Sequence, residues 1–175
     1  METIGKNLVN VHVRRMVRRD MLEVLEIENQ SFEFPWSDED FVRYLRQRNC
    51  IGTVAESGKR VVGFMVYELL KNQMHLLSIA VRPEFQRRGV GSQMMLKLVC
   101  KLATKRRNNI TLEVRERNLP GQLFFKSCGF LARSVLRDFY CDTTEDAYRM
   151  QFLLHPDKDY VPGIRDRGCL GPLLD

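Results

Sequence analysis

A chain of 175 residues with 44% hydrophobic and 29% charged side chains has the composition of an ordinary soluble globular protein, and its length predicts one domain with a substantial core. No run approaches the roughly 18 apolar residues of a membrane span, and the opening METIGKNLVN has no apolar signal region, so no membrane and a cytoplasmic location are expected. The net charge of +6 would suit an anionic cofactor or a ribosomal surface as well as nucleic acid. Lys97, Lys101 and Lys105 fall at i, i+4 and i+8, one solvated helix face, and no direct nucleic-acid binding is expected.

Residues 10–16 alternate through Val11 and Val13 and read as a first, edge-like strand. Asp20 with Glu23 reads as a capping box for a helix whose apolar residues are Met21, Leu22, Val24, Leu25 and Ile27. Pro35 then breaks the chain. Ser37 and Asp40 form a second capping box ahead of a short helix with Phe41, Tyr44 and Leu45 on its apolar face. Residues 51–56 and 61–70 flank Ser57-Gly58-Lys59, a hairpin signal. A buried strand follows through Leu76, Leu77, Ile79 and Ala80 and closes at Val81, because Pro83 cannot donate to a sheet. The helix predicted over 91–107 buries Met94, Met95, Leu98, Val99 and Leu102 at a 3.6-residue period, which makes the methionines core filler.

Residues 110–115 place Ile110, Leu112 and Val114 on one face of a strand and Thr111, Glu113 and Arg115 on the other. Asn118 caps a helix that tolerates Pro120 in its first turn, carries Phe124 and Phe125, and stops at Gly129. Residues 130–137 and 147–154 read as closing strands, a hairpin across 138–146. The order β-α-α-β-β-β-α-β-α-β-β predicts an α/β fold, a mixed (α+β) sheet with helices on its faces. One domain is expected over residues 1–155, with an irregular tail over 156–175 rich in Pro, Gly and charge. Cys50, Cys100, Cys128, Cys141 and Cys169 are odd in number and lack a Cys-x-x-Cys pair, so reduced, mostly buried thiols are expected. His12, His75 and His155 have no ligand-like spacing, and no metal site is expected.

Chemistry concentrates after the central strand, at Gln86-Arg87-Arg88-Gly89-Val90-Gly91. Glycines let backbone N–H groups approach a ligand, a helix N-terminus adds partial positive charge, and the two arginines add full charges, so the loop suits a phosphate. A P-loop is excluded because Gly91 is followed by Ser92 with no lysine between, and a dinucleotide fingerprint because position 94 is Met94. Upstream, Phe32, Phe34 and Trp36 are equally well a core lid or a hydrophobic wall for the first residues of a peptide. The nearby Glu33, Asp38, Glu39 and Asp40 would attract a protonated amine, or simply cap and solvate a helix.

The loop, in a strand ending Ile79-Ala80-Val81, resembles the acetyl-CoA pyrophosphate signature of the GNAT N-acetyltransferases. With Phe34-Pro35-Trp36-Ser37, Leu112-Glu113-Val114-Arg115 and the closing FYCDTTEDAYRM, residues 10–154 are similar in order to the RimI-type branch, which acetylates the N-terminal alanine of a small-subunit ribosomal protein. The resemblance implies the GNAT acyl-CoA N-acyltransferase fold, with acetyl-CoA as cosubstrate and a protein N-terminus as partner. It implies that Ile79, Ala80 and Val81 present backbone to the pantetheine arm and the acetyl carbonyl. Arg87, Arg88, Gly89, Val90, Gly91 and Ser92 would hold the pyrophosphate, with Asn118 near the thiol. Glu113 would accept the proton, directly or through a water, and Phe34, Trp36 and Tyr140 would line the acceptor pocket. A carboxylate on the polar face of a strand suits that task, since the attacking amine must be neutral. The bland alternative is a surface glutamate paired with Arg115 or another cation, and Arg115 is expected to be structural.

One departure stands out. The branch usually carries a tyrosine, as proton donor to the thiolate, where this chain has Phe125. Either the thiolate leaves unprotonated or another group supplies the proton; Tyr140 is the best candidate for that role and equally one for shaping the peptide pocket. The expected function is direct transfer from acetyl-CoA to a protein α-amine, since no cysteine or serine sits in a nucleophile motif. Acetylation of lysine or a small amine on the same scaffold, and a non-catalytic acyl-CoA-binding module, are the alternatives. Oligomeric state is not readable.

Overall fold

The alternating and helical periods produce eleven main elements in the predicted order. The structure, a computed structural model, describes residues 8–104 and 107–154. Strand β1 (His12–Arg15) leads into helices α1 (Met21–Ser31) and α2 (Asp38–Leu45), then strands β2 (Cys50–Ser57), β3 (Arg60–Leu69) and β4 (Gln73–Val81). Helix α3 (Val90–Thr104), strand β5 (Asn109–Arg115), helix α4 (Leu119–Ser127) and strands β6 (Leu131–Tyr140) and β7 (Glu145–Leu153) complete the fold. The strands form one sheet in the order β1-β2-β3-β4-β5-β7-β6, antiparallel except for β4 against β5.

Two cores lie on opposite faces. On one, α3 contributes Met94, Met95, Leu98, Val99 and Leu102, all buried against Met74, Leu76, Ile110 and Leu112, as the 3.6-residue period predicts. On the other, Val24 and Ile27 of α1 and Phe41 of α2 pack on Val54, Phe64, Val66 and Ala80. Burying such side chains stabilises by about 1.5–3 kcal/mol each. Arg82, buried just past β4, anchors α1 to the sheet. It donates from Nε to the Val61 carbonyl at 2.9 Å and pairs with Glu26 at 2.7 Å.

Local signals differ in how they survive tertiary context. Gly58 turns the β2–β3 hairpin at φ 64°, and Gly129 ends α4 at φ 90°. The Asp40 N–H donates to Ser37 Oγ at 3.2 Å while the Ser37 N–H donates to Asp40 Oδ2 at 3.0 Å, the predicted reciprocal cap. Replacing Ser37 by Ala should cost about 1 kcal/mol, read as a lower urea midpoint at unchanged slope. Asp20 does not cap α1. Its carboxylate accepts from the Val17 N–H at 2.8 Å and takes both guanidinium arms of Arg14 at 2.7 and 2.8 Å, ending a 3₁₀ turn over Arg18–Asp20. Glu23 turns instead to the Val61 N–H at 3.1 Å.

The closing hairpin is also tighter than the reading above: β6 runs on to Tyr140, which pairs with Glu145, so only residues 141–144 turn. Phe130 lies just before β6 and is fully buried. Among the described cysteines, none in a disulfide, Cys50 and Cys128 are buried and Cys100 and Cys141 exposed. Cys169, Lys105, His155 and the tail 156–175 lie outside the described residues.

Candidate active site

A bulge opens the sheet at its centre. Val66 pairs with Ser78 but Tyr67 pairs with Leu76, so Leu77 is an extra residue in β4. Parallel pairing with β5 stops at Leu76 and Leu112, although β4 runs on to Val81 and β5 to Arg115. The strands part in a wedge. Ile79, Ala80 and Val81 still pair with β3 on one side, and their other side has no β5 partner. Backbone polar groups turned into that gap need a partner, which an extended ligand arm can supply.

Glu113 is the first residue of β5 past the pairing, at the apex of the wedge. It lies on the face shared with α1 and α2, opposite its buried neighbours Leu112 and Val114. Its carboxylate is held by the His75 Nε2 at 3.0 Å and the Arg149 Nε at 2.9 Å. Burial favours the neutral acid, but the hydrogen bonds and charges of His75 and Arg149 outweigh it and hold Glu113 below the usual carboxylate range. His75 Nδ1 meets Thr111 Oγ1 at 2.9 Å, so both ring nitrogens are engaged. A carboxylate only accepts, so the Nε2 carries its proton toward Glu113. Glu68, His75, Thr111, Glu113, Arg149 and Gln151 line an open polar groove on this face. The sequence reading missed His75. Its link to Glu113 depends on the parallel register that sets His75 against Thr111, two residues from Glu113.

The loop after β4 supplies the positive end. Gln86 Nε2 donates to the Val81 carbonyl at 2.9 Å, and Arg88 stacks over Phe85 with its Cζ 5.4 Å from the ring centre. Arg87 and Gly89 take positive φ (60° and 81°), turning the backbone into the first turn of α3, whose N–H groups lack intrahelical acceptors. The exposed Arg87, half-buried Arg88 and those N–H groups fit a pyrophosphate. The loop is braced from the chain start: the Val9 N–H donates to the Arg88 carbonyl at 3.0 Å, and Gln93 Nε2 to the Val9 carbonyl at 2.6 Å. A Cβ on Gly89 would meet Leu8 Cδ2 at 2.9 Å. Gly89→Ala, strained in φ and crowded, should destabilise by about 1–2 kcal/mol and raise the acetyl-CoA dissociation constant, measured by calorimetry.

Two loops border the face that carries Glu113. In the α1–α2 connection, Phe34 is 43% exposed, whereas Trp36 stacks on Tyr44 at 4.5 Å and meets Phe41 edge-on at 5.3 Å. The loop thus divides the two roles read from sequence, with Trp36 packed into the helical lid and Phe34 turned outward. Across the face stands Tyr140, half-buried. Burial pushes its phenol above its usual value despite the nearby Arg115, so it keeps its proton at neutral pH. Phe125 is buried against Phe124 and Phe130. Asn118 caps α4, accepting from the Gly121 N–H at 2.9 Å.

A second carboxyl escaped the sequence reading. Glu28, near the end of α1, is 2% exposed, accepts from the Trp36 N–H at 2.8 Å and lies beside Ser78, while its Oε2 has no protein partner. Burial pushes its pKa up to about 7. Its position four residues after Val24 and next to Ile27, on the apolar face of α1, is the signal that marks it.

A sheet parted beside a basic glycine loop and a carboxylate is the architecture of an acyl-CoA-dependent transferase. Residues 21–130 match the Acetyltransferase (GNAT) family, and the chain belongs to it. It is an acetyl-CoA-dependent N-acetyltransferase of RimI-like type. The ribosomal protein bS18-alanine N-acetyltransferase of Escherichia coli is 29% identical over 133 residues, 75% of this chain and 89% of that one. The E. coli crystal structure superposes with a TM-score of 0.76 at 23% identity, covering 86% of this chain and 97% of the other. Ard1 from Thermoplasma volcanium superposes at 0.77 with 25% identity, covering 84% and 99%. A GNAT family acetyltransferase from Elizabethkingia anophelis, solved with acetyl-CoA bound, superposes at 0.69 with 16% identity over 83% and 99%. Among the described residues no helix is long and apolar enough to cross a membrane.

Proposed function

We propose that the chain transfers the acetyl group of acetyl-CoA directly to the α-amine of a protein N-terminus, with a small-subunit ribosomal protein as the acceptor class. The observation that carries this reading is the position of Glu113 at the apex of the wedge. The cofactor loop lies at the far end of β4, and an open polar groove beside Glu113 leaves room for an acceptor. The name of the E. coli relative supports the acceptor class.

The pyrophosphate of acetyl-CoA is held by Arg87, Arg88 and the backbone of Gly89, Val90, Gly91 and Ser92. Its arm runs along Ile79, Ala80 and Val81, with Asn118 nearby at the start of α4. The acceptor's first residues lie by Phe34 and Tyr140, with Trp36 behind. The amine nitrogen attacks the thioester carbonyl, the C–S bond breaks, and the amine proton passes through a water to Glu113. His75, bonded to that carboxylate, adds the side-chain type most often used to carry protons. Tyr140 keeps its phenol proton and can give it to the departing thiolate, a role closed to the buried Phe125. Direct transfer is supported by the state of the buried thiols: burial pushes Cys50 and Cys128 up to about 11, which leaves them poor nucleophiles.

The deciding experiment offers acetyl-CoA and a short peptide with a free N-terminal alanine and an internal lysine, with the product mapped by fragment mass spectrometry. An acetylated α-amine is the expected result. An acetylated lysine would move the function to side-chain amines. Cofactor binding without product would reduce the chain to an acyl-CoA-binding module.

A further inference from the structure

Arg115 stands two residues beyond Glu113, on the same face of β5 and at the edge of the acceptor side. Its guanidinium lies over two aromatic rings and is hydrogen-bonded along its edge. Cζ lies 3.8 Å from the centre of the Tyr140 ring and 5.0 Å from that of Phe34. Along the edge, Nη2 donates to Asp142 Oδ2 at 2.7 Å, and Nη1 to Thr143 Oγ1 at 3.1 Å and Glu145 Oε2 at 3.2 Å. Glu145 is itself buried and fixed by the Arg117 N–H at 2.8 Å.

A planar guanidinium can do all this at once, because its faces stack on rings while its edge donates in the plane; an ammonium cannot. Phe34 belongs to the α1–α2 loop, while Tyr140, Asp142, Thr143 and Glu145 belong to the β6–β7 hairpin. Those are the two segments that border the acceptor face. Asp142 and Glu145 together outweigh the single charge of Arg115, so Arg115 presents no net positive charge to an incoming chain and acts on it through spacing.

We propose that the Phe34–Arg115–Tyr140 stack sets the width of the acceptor entrance and thereby selects a small first residue. Arg115 acts as a positioning residue that ties the two bordering segments together. This rests on the N-terminal reading given above, so its test has one arm that needs no turnover. In hydrogen–deuterium exchange on the full chain, Arg115→Lys keeps the charge and loses the flat fork. Exchange should quicken in both 32–37 and 138–145 while the first turn of α3 stays unchanged. Phe34→Ala, the loss of an exposed ring, should quicken 138–145 across the entrance. Unchanged exchange at 138–145 in Phe34→Ala, or at 32–37 in Arg115→Lys, would overturn the clamp whatever the chain acetylates.

The kinetic arm compares peptides beginning with alanine and with leucine. Arg115→Lys should raise KM for the alanine peptide about tenfold, the sign of lost binding, with a smaller fall in kcat from the loosened Tyr140. KM for acetyl-CoA should hold, and the preference for alanine over leucine should shrink. A fall in kcat at constant peptide KM, or an unchanged preference, would overturn the selection role. If the wild type acetylates neither peptide, the N-terminal reading fails and the exchange arm alone decides the clamp.

Discussion

Glu113→Gln should lower kcat with the alanine peptide by about 10²–10⁴-fold, the range a positioned proton acceptor contributes, while the dissociation constant for acetyl-CoA stays as it was. The amide keeps the shape of the carboxylate, but its one oxygen replaces only one of the two that accept from His75 and Arg149, and it cannot take a proton. Because His75 and Arg149 hold Glu113 below the usual carboxylate range, it is ionised throughout the working pH range. The acid limb of the wild-type profile should therefore follow the acceptor amine, whose pKa is about 7.7–8.0 for a chain terminus, and not Glu113. Turnover within about threefold of wild type at saturating substrates, against the range above, would remove Glu113 from the proton path. A limb assignable to Glu113 and lying above the ordinary glutamate value of about 4.3 would contradict the assigned ionisation.

Glu28→Gln should make the protein more stable at pH 8 by an amount on the order of 3 kcal/mol, with no gain at pH 4.5. The folded state holds this acid at about 7, against an ordinary value of 4.5. Between those values the folded chain keeps a proton that the unfolded chain has released. Stability therefore falls as pH rises through that window and stays reduced above it. Glutamine retains an acceptor for the Trp36 N–H and removes the charge, so the pH-dependent loss disappears. Urea unfolding of both proteins at the two pH values reads the effect. Equal midpoints at pH 8 would mean that Glu28 is solvated or paired in solution.

Much of the fold was legible because long periodic segments carry their own signal. The methionine-rich face of α3, the Ser37–Asp40 cap and the Asn118 cap were read correctly from local spacing. The Asp20–Glu23 cap failed because Arg14, six residues back, and the Val17 N–H compete for the same carboxylate. The closing hairpin was drawn too wide because β6 is exposed along almost its whole length, so no alternation of apolar and polar residues marks where it ends. Arg115 was rightly read as making structural contacts, but its ring partners lie 81 residues upstream, at Phe34, and 25 downstream, at Tyr140. His75 stayed hidden for a related reason. A histidine becomes a partner of Glu113 only once two parallel strands are set in one register, which no local pattern encodes.

The brace on the glycine loop has a kinetic consequence. Gln93 joins Val9 and Val11 across separations of 84 and 82 residues, so the loop's final shape depends on a contact between the start of the chain and its middle. Closing so long a segment is entropically slow compared with winding α3 or folding the β2–β3 hairpin. The phosphate-binding loop should accordingly be among the last parts to gain exchange protection during refolding, arriving together with residues 9–11 and after the core beneath it has formed.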